Sequence, residues 1–332
     1  MWRKFEPDID MNRDTAIDAL RGIALSMVVL SHAVSLSHYW TDFYIVTFFF
    51  LSGYLYKPGR TWCENIKRKA KRVLLPYFAN SIVLLALAWA NKSFSADYLQ
   101  EALTGILYSR FRILPEGETI MVSWNFPMWY LTSFFTASLL FHGIVDYAVK
   151  TRKTMVWVSV LLVAASFAMT QLPVLLPWSL DLVPLATFVM MMGYLFRKNA
   201  CDFSFRNVPV LGLVAVYVAL CYWNGAVNLS VRSLGNLGGS VAALAGICLS
   251  LSLLSVLGHR RLQPVRAVFV PVGTNSIVVL AYHPFFLYVF RFIVQKVMPG
   301  AEENVFISAL CAILSVVICV AAGTLWGRYR HR

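Results

Sequence analysis

Apolar stretches of roughly twenty residues, the length at which a helix crosses a hydrocarbon core, recur from Ala16 to Trp326 with short polar connectors between them. In lipid every backbone N–H and C=O must find its partner within the protein, so such stretches can only be helices. They fall near 16–38, 42–57, 73–91, 124–148, 154–172, 174–197, 207–224, 237–258, 275–297 and 304–327, the second being short. This pattern predicts an all-α integral membrane protein, a multi-pass bundle of about ten transmembrane helices forming a single domain over residues 1–332. Composition agrees: 59% of residues are hydrophobic and 14% charged, against about a quarter charged in soluble domains. Between the third and fourth stretches, residues 92–123 mix charges with apolar residues at helical spacing from Asp97 to Leu114, which predicts a loop carrying an interfacial helix.

The net charge of +13 does not point to nucleic acid, because the basic residues lie in clusters between apolar spans and form no continuous stripe. Cytoplasmic connectors retain Lys and Arg. Counting alternate connectors from the N-terminus places 22 of the 29 Lys and Arg residues on one side. That side holds Arg3, Lys4 and Arg13, the run from Lys57 to Arg72, and Arg328, Arg330 and Arg332. The N- and C-termini are therefore predicted to be cytoplasmic, with 1–15 and 328–332 as cytoplasmic segments and 92–123 extracytoplasmic. The first apolar run lacks a small-residue cleavage site and reads as a retained helix. Six scattered cysteines show neither metal-ligand spacing nor a paired framework, so neither disulfides nor a metal site is predicted.

Ionisable residues inside a membrane are expensive and mark candidate sites. On a helix turning 100° per residue, Asp18, Arg21 and His32 fall within about 60° of one another. A plain ion pair beside a packed histidine is the competing reading. The cluster Arg68, Lys69, Lys71 and Arg72 suits phosphate binding, although orientation alone would also explain it. Ser52 and Gly53 offer a hydroxyl and a close backbone approach, which helix packing also requires. Trp129 and Tyr130 suit either an aromatic belt or a sugar platform. His283 precedes Pro284, whose ring frees a backbone carbonyl, and joins Asn275 as a possible cavity lining. His38 and Asp42 flank the first outer turn and suit acceptor binding, although solvated loop residues are the default reading, and His142, Asp146 and Asp181 receive no role.

The sequence also carries D-A-L-R-G-I-A at 18–24, ten residues between Arg21 and His32, F-F-F-L-S-G-Y at 48–54 and K-R-K-A-K-R-V-L-L-P-Y at 67–77. Further along stand F-P-M-W-Y-L at 126–131, M-G-Y-L-F-R-K at 192–198 and G-T-N-S-I-V-V-L-A-Y-H-P at 273–284. In this order the chain resembles the acyltransferase 3 family, and is similar to its fucose 4-O-acetyltransferase-like branch. The resemblance implies a membrane enzyme that moves an acyl group, usually acetyl from acetyl-CoA, to a hydroxyl of a sugar or other envelope acceptor. The family's first-helix arginine and histidine fall on Arg21 and His32, and its basic motif on Arg68 to Arg72. Lys69-Ala-Lys-Arg72 replaces the usual Arg-x-x-Arg, and Tyr44 to Thr47 stand where a His-Met-Pro often precedes the F-F-x-x-S-G segment.

A sugar hydroxyl needs its proton removed as it attacks a thioester, and an imidazole within hydrogen-bond reach can do this. His32 is therefore expected as general base, with Arg21 and Asp18 completing the catalytic set nearer the donor. Arg68, Lys69, Arg72, Ser52 and Gly53 are expected at acetyl-CoA, and Trp129, Tyr130, His283 and Asn275 at the acceptor. The expected protein is an O-acetyltransferase of the inner cell membrane, modifying an envelope polysaccharide or its lipid-linked precursor. The rival is a transporter or flippase of a lipid-linked saccharide, against which no inverted repeat is visible.

Overall fold

The structure is a computed structural model that describes residues 11–57, 59–91, 96–120, 124–148, 151–199 and 209–330. Parts of the predicted terminal segments (1–10, 331–332) and of the 92–123 loop (92–95, 121–123) lie outside the described residues, as do Lys150, Cys201 and Arg206. The described chain is helical, with two isolated bridges and no strand among the described residues.

Its helices are α1 (Met11–Ala33), α2 (Tyr44–Tyr54), α3 (Trp62–Lys69), α4 (Leu75–Asn91), α5 (Ala96–Tyr108), α6 (Trp129–Gly143) and α7 (Arg152–Met169). There follow α8 (Val183–Asn199), α9 (Val210–Asn224), α10 (Ser240–Leu257), α11 (Gln263–Thr274), α12 (Ser276–Val297) and α13 (Val305–Arg330). Among the described residues seven segments are long and apolar enough to cross a membrane, so this is an integral membrane protein. The other three predicted spans correspond to shorter helices: α2 with 11 residues, α7, and α9 with 15.

Three departures from the expected boundaries bear on the site. Residues 11–15, predicted as part of a cytoplasmic segment before the first span, already belong to α1. The basic run, predicted as a connector up to residue 72, is helical from Trp62 because Thr61 and Glu64 form a capping box. Thr61 N donates to Glu64 Oε2 at 2.9 Å, and Glu64 N donates to Thr61 Oγ1 at 3.3 Å. α3 then passes through a π-helical turn, Ala70–Leu74, into α4. Finally, the ninth span is preceded by α11, broken from α12 at Asn275.

Two helix pairs cross at backbone contact. A Cβ on Gly22 would lie 2.0 Å from the Phe269 carbonyl oxygen, and one on Gly273 2.0 Å from that of Asp18, so α1 and α11 approach through reciprocal glycines. Likewise a Cβ on Gly53 would lie 1.8 Å from Met190 O, and one on Gly193 2.1 Å from Phe50 O, joining α2 to α8. Small residues allow this because lipid supplies no hydrophobic drive between helices and close van der Waals contact must replace it. These two crossings fix the helices that carry Arg21, His32 and Ser52.

Candidate functional site

α1 presents Arg21, Leu25, Val28 and His32 to a cavity of about 1020 Å³, which Ser35, just beyond the helix, also lines. The helical residues are spaced by four, three and four, which is one face of a helix. The eleven residues from Arg21 to His32 rise about 16 Å, roughly half of a hydrocarbon core about 30 Å thick. The cavity is therefore long, with different chemistry at each end.

At the Arg21 end the lining is basic. Asp18 holds Arg21 in place, Arg21 Nη1 donating to Asp18 Oδ1 at 3.0 Å, while Asp18 itself stays off the cavity wall. Lys57, Arg60, Arg68, Lys69 and Arg72 join Arg21 there. The π-helical turn packs against α6 and adds a residue to the helical period within this basic face. Lys69 Nζ lies 3.5 Å from Ser52 Oγ and 4.2 Å from the centroid of the Phe134 ring. Beside it stand groups to which the sequence assigns no role. His142 and Asn65 are both buried and line the cavity, and His142 Nδ1 and Asn65 Nδ2 have no hydrogen-bond partner among the described residues. The ring of Tyr56, 4.8 Å from that of His142, carries a hydroxyl that donates to Asp146 Oδ1 at 2.5 Å. A second π-helical turn, Ile144–Ala148, contains Asp146.

The middle is apolar and aromatic: Leu25, Val28, Phe48, Leu131 and Phe134 line it. Tyr130 belongs to this wall, its ring 5.7 Å from Phe48 and 5.3 Å from Phe49. Trp129 also reaches the cavity, although it is buried and its ring lies 5.6 Å from the Arg110 guanidinium. Neither ring belongs to a lipid-facing belt.

His32 marks the other end. It is exposed to the cavity, with the Phe126 ring edge-on at 5.2 Å and the His283 ring stacked at 5.4 Å. Asp42, Phe111, Asn228 and Ser230 complete the lining, and Asp42 Oδ1 accepts from Val227 N at 3.4 Å. A buried ion cluster holds the loops behind this end. Arg110 Nη2 and Arg232 Nη1 converge on Asp181 Oδ2 at 3.0 and 3.3 Å, and Arg110 Nη1 donates to Ser179 Oγ at 2.6 Å. Burial lowers the Arg110 guanidinium to about 10, which leaves it charged at physiological pH. Ser179, with φ of 54°, is thus pinned in a left-handed conformation that a non-glycine residue rarely adopts.

Four predicted site residues do not line this cavity, Asp18 being the first. Gly53 does not line the cavity, because its missing side chain is what admits the Met190 backbone. Asn275 sits at the break between α11 and α12, its Nδ2 donating to Pro271 O at 2.9 Å and reaching Thr324 Oγ1 at 3.4 Å, away from the cavity. His283 is fully buried against His32 and does not line the cavity. Arg21, His32, Ser52, Arg68, Lys69, Arg72, Trp129 and Tyr130 all meet at the one cavity. Among the described residues no group of three His, Cys, Asp or Glu is placed to hold a metal ion.

Comparison with known proteins yields one family, described as an acyltransferase domain, whose profile matches residues 14–324. No curated protein matches the chain. The matched region contains the whole cavity lining, from Arg21 to Leu280, so the site and the family assignment concern the same residues, and the chain belongs to the acyltransferase 3 family.

Proposed function

We propose that this membrane acyltransferase takes an acetyl group from acetyl-CoA and transfers it to a hydroxyl of an envelope polysaccharide or its lipid-linked precursor, with His32 as general base. The observation that carries this reading is the division of one cavity into a basic end and a histidine end. Arg68, Lys69, Arg72 and Arg21 hold the phosphates of the donor through charge-assisted hydrogen bonds. Asn65 Nδ2, otherwise unpaired among the described residues, donates to a carbonyl of the pantetheine arm, and the apolar middle excludes water from the thioester. His32 removes the proton of the attacking hydroxyl, the C–O bond forms, the C–S bond breaks, and the proton leaves with the thiolate. Trp129 and Tyr130 form the wall along which the sugar ring packs.

The basic end then belongs to the cytoplasmic side of the inner cell membrane, with ten crossings and both termini on that side. A cavity lined along most of α1 would also serve a transporter or flippase of a lipid-linked saccharide, which would move its cargo without consuming acetyl-CoA. The test is transfer of label from radiolabelled acetyl-CoA to saccharide acceptors by the purified protein in proteoliposomes. Loss of transfer in a folded His32→Ala variant is the expected result. Unchanged transfer in that variant removes His32 as base, and saccharide movement without acetyl consumption moves the reading to transport.

A further inference from the structure

The structure leaves His283 with a nitrogen to account for. Its Nδ1 lies 2.8 Å from Val279 O, and a carbonyl oxygen can only accept, so Nδ1 carries the ring proton. In the neutral imidazole Nε2 is then a bare lone pair. This atom is buried and has no partner among the described residues, in a side chain that is 0% exposed. A buried acceptor without a donor is costly, and such exceptions call for a reason.

The neighbouring ring is His32, stacked at 5.4 Å with the planes 20° apart. A hydrogen bond between the two rings requires His32 to rotate out of this stack, or one bridging water. α12 supplies a second hold on the same turn of α1, because the Arg291 guanidinium donates to the Ala33 carbonyl, the residue following His32. One helix thus meets the end of α1 at two points, the Arg291 hydrogen bond and the stacked ring of His283.

We infer that His283 is a positioning residue for the acyl transfer: its Nε2 accepts a hydrogen bond from His32 after His32 has taken the acceptor's proton. This rests on His32 being the base. Neutral His32 can turn one nitrogen to the hydroxyl, and when protonated it has two N–H groups, of which only one is needed to return the proton to the departing thiolate. The other meets His283 Nε2. No bond to His283 is made or broken, and the Val279 carbonyl keeps its tautomer fixed throughout.

The test compares His283→Gln, His283→Asn and His283→Phe with wild type and His32→Ala, all full-length in proteoliposomes, using labelled acetyl-CoA and methyl glycosides as probes. Glutamine places an amide oxygen near the Nε2 position, asparagine retains only the donor to Val279, and phenylalanine retains only the ring. The asparagine and phenylalanine variants should lose kcat by about 10- to 100-fold, the range of one hydrogen bond to a charged group, with KM for acetyl-CoA unchanged. Glutamine should restore most of the loss. A wild-type kcat in His283→Asn, or a glutamine variant no better than phenylalanine, would overturn the inference while leaving His32 as base. Full activity in His32→Ala would overturn both.

Discussion

At the scale of single residues, the two ends of the cavity make different demands and predict different kinetic signatures. Arg72 lines the basic end and no hydrogen bond to another described residue holds it, so its guanidinium is available for a phosphate. Arg72→Gln is expected to raise KM for acetyl-CoA about tenfold, equivalent to about 1.4 kcal/mol, with kcat unchanged. Steady-state kinetics at two donor concentration ranges would check this, and a fall in kcat alone would contradict it. Asp181 is a structural counterpart. It neutralises one of two buried arginines, and Asp181→Ala leaves both without their carboxylate. Breaking such a cluster costs about 3–5 kcal/mol, which should appear as a clear drop in the thermal midpoint in detergent.

The elements explain why glycines occur inside the family-like motifs. In D-A-L-R-G-I-A the glycine is Gly22, and in F-F-F-L-S-G-Y it is Gly53. Both lie where one helix backbone rests on another. Substituting Gly53 by alanine would push the α2–α8 crossing apart, because the added Cβ would meet Met190 O, a backbone atom that cannot rotate away. Overpacking of this kind costs about 1–3 kcal/mol. Gly53→Ala should therefore lower the thermal midpoint and also reduce activity by displacing Ser52 and Lys69. Arg197 steadies the same helix, its Nη1 donating to Tyr54 O at 3.1 Å at the end of α2. The capping box Thr61-Trp-Cys-Glu64 is a helix-start signal readable in the sequence, and it places Asn65, Arg68, Lys69 and Arg72 on one face. That signal, followed through helical period, is enough to join Asn65 to the basic cluster.

For the whole molecule, the consequence of one long cavity is that its ends communicate through an apolar middle. Val28 lines that middle, about 10 Å along α1 from Arg21. Val28→Trp should block acyl transfer while leaving acetyl-CoA binding intact, as measured by equilibrium dialysis. Loss of both would place the donor deeper than the basic end. Topology is equally testable. A cysteine at Tyr329, exposed near the end of α13, should react with an impermeant maleimide only in opened membranes, whereas one at Glu303 should react in intact cells. The reverse pattern would invert the molecule and with it the side from which the donor enters.

What the sequence determined by itself is set by short-range physics. Apolar stretches must be helices in lipid, Lys and Arg mark the connectors, and the stripe of Asp18, Arg21 and His32 follows from helical period alone. Tertiary structure decided which polar groups meet. Nothing in the local sequence around His142 or His283 says that the first opens onto the basic end of the cavity while the second lies buried against His32. Those outcomes depend on the crossing of α1 with α11 and the break at Asn275, which join segments some 250 residues apart. The chemistry of Asn275 and Gly53 points toward a binding role, yet packing claims both, because an interhelical contact at backbone distance leaves no room for a substrate. Periodicity is a property of one helix, whereas a site is a property of the distances between several, and those distances are set by which small residues allow two backbones to touch.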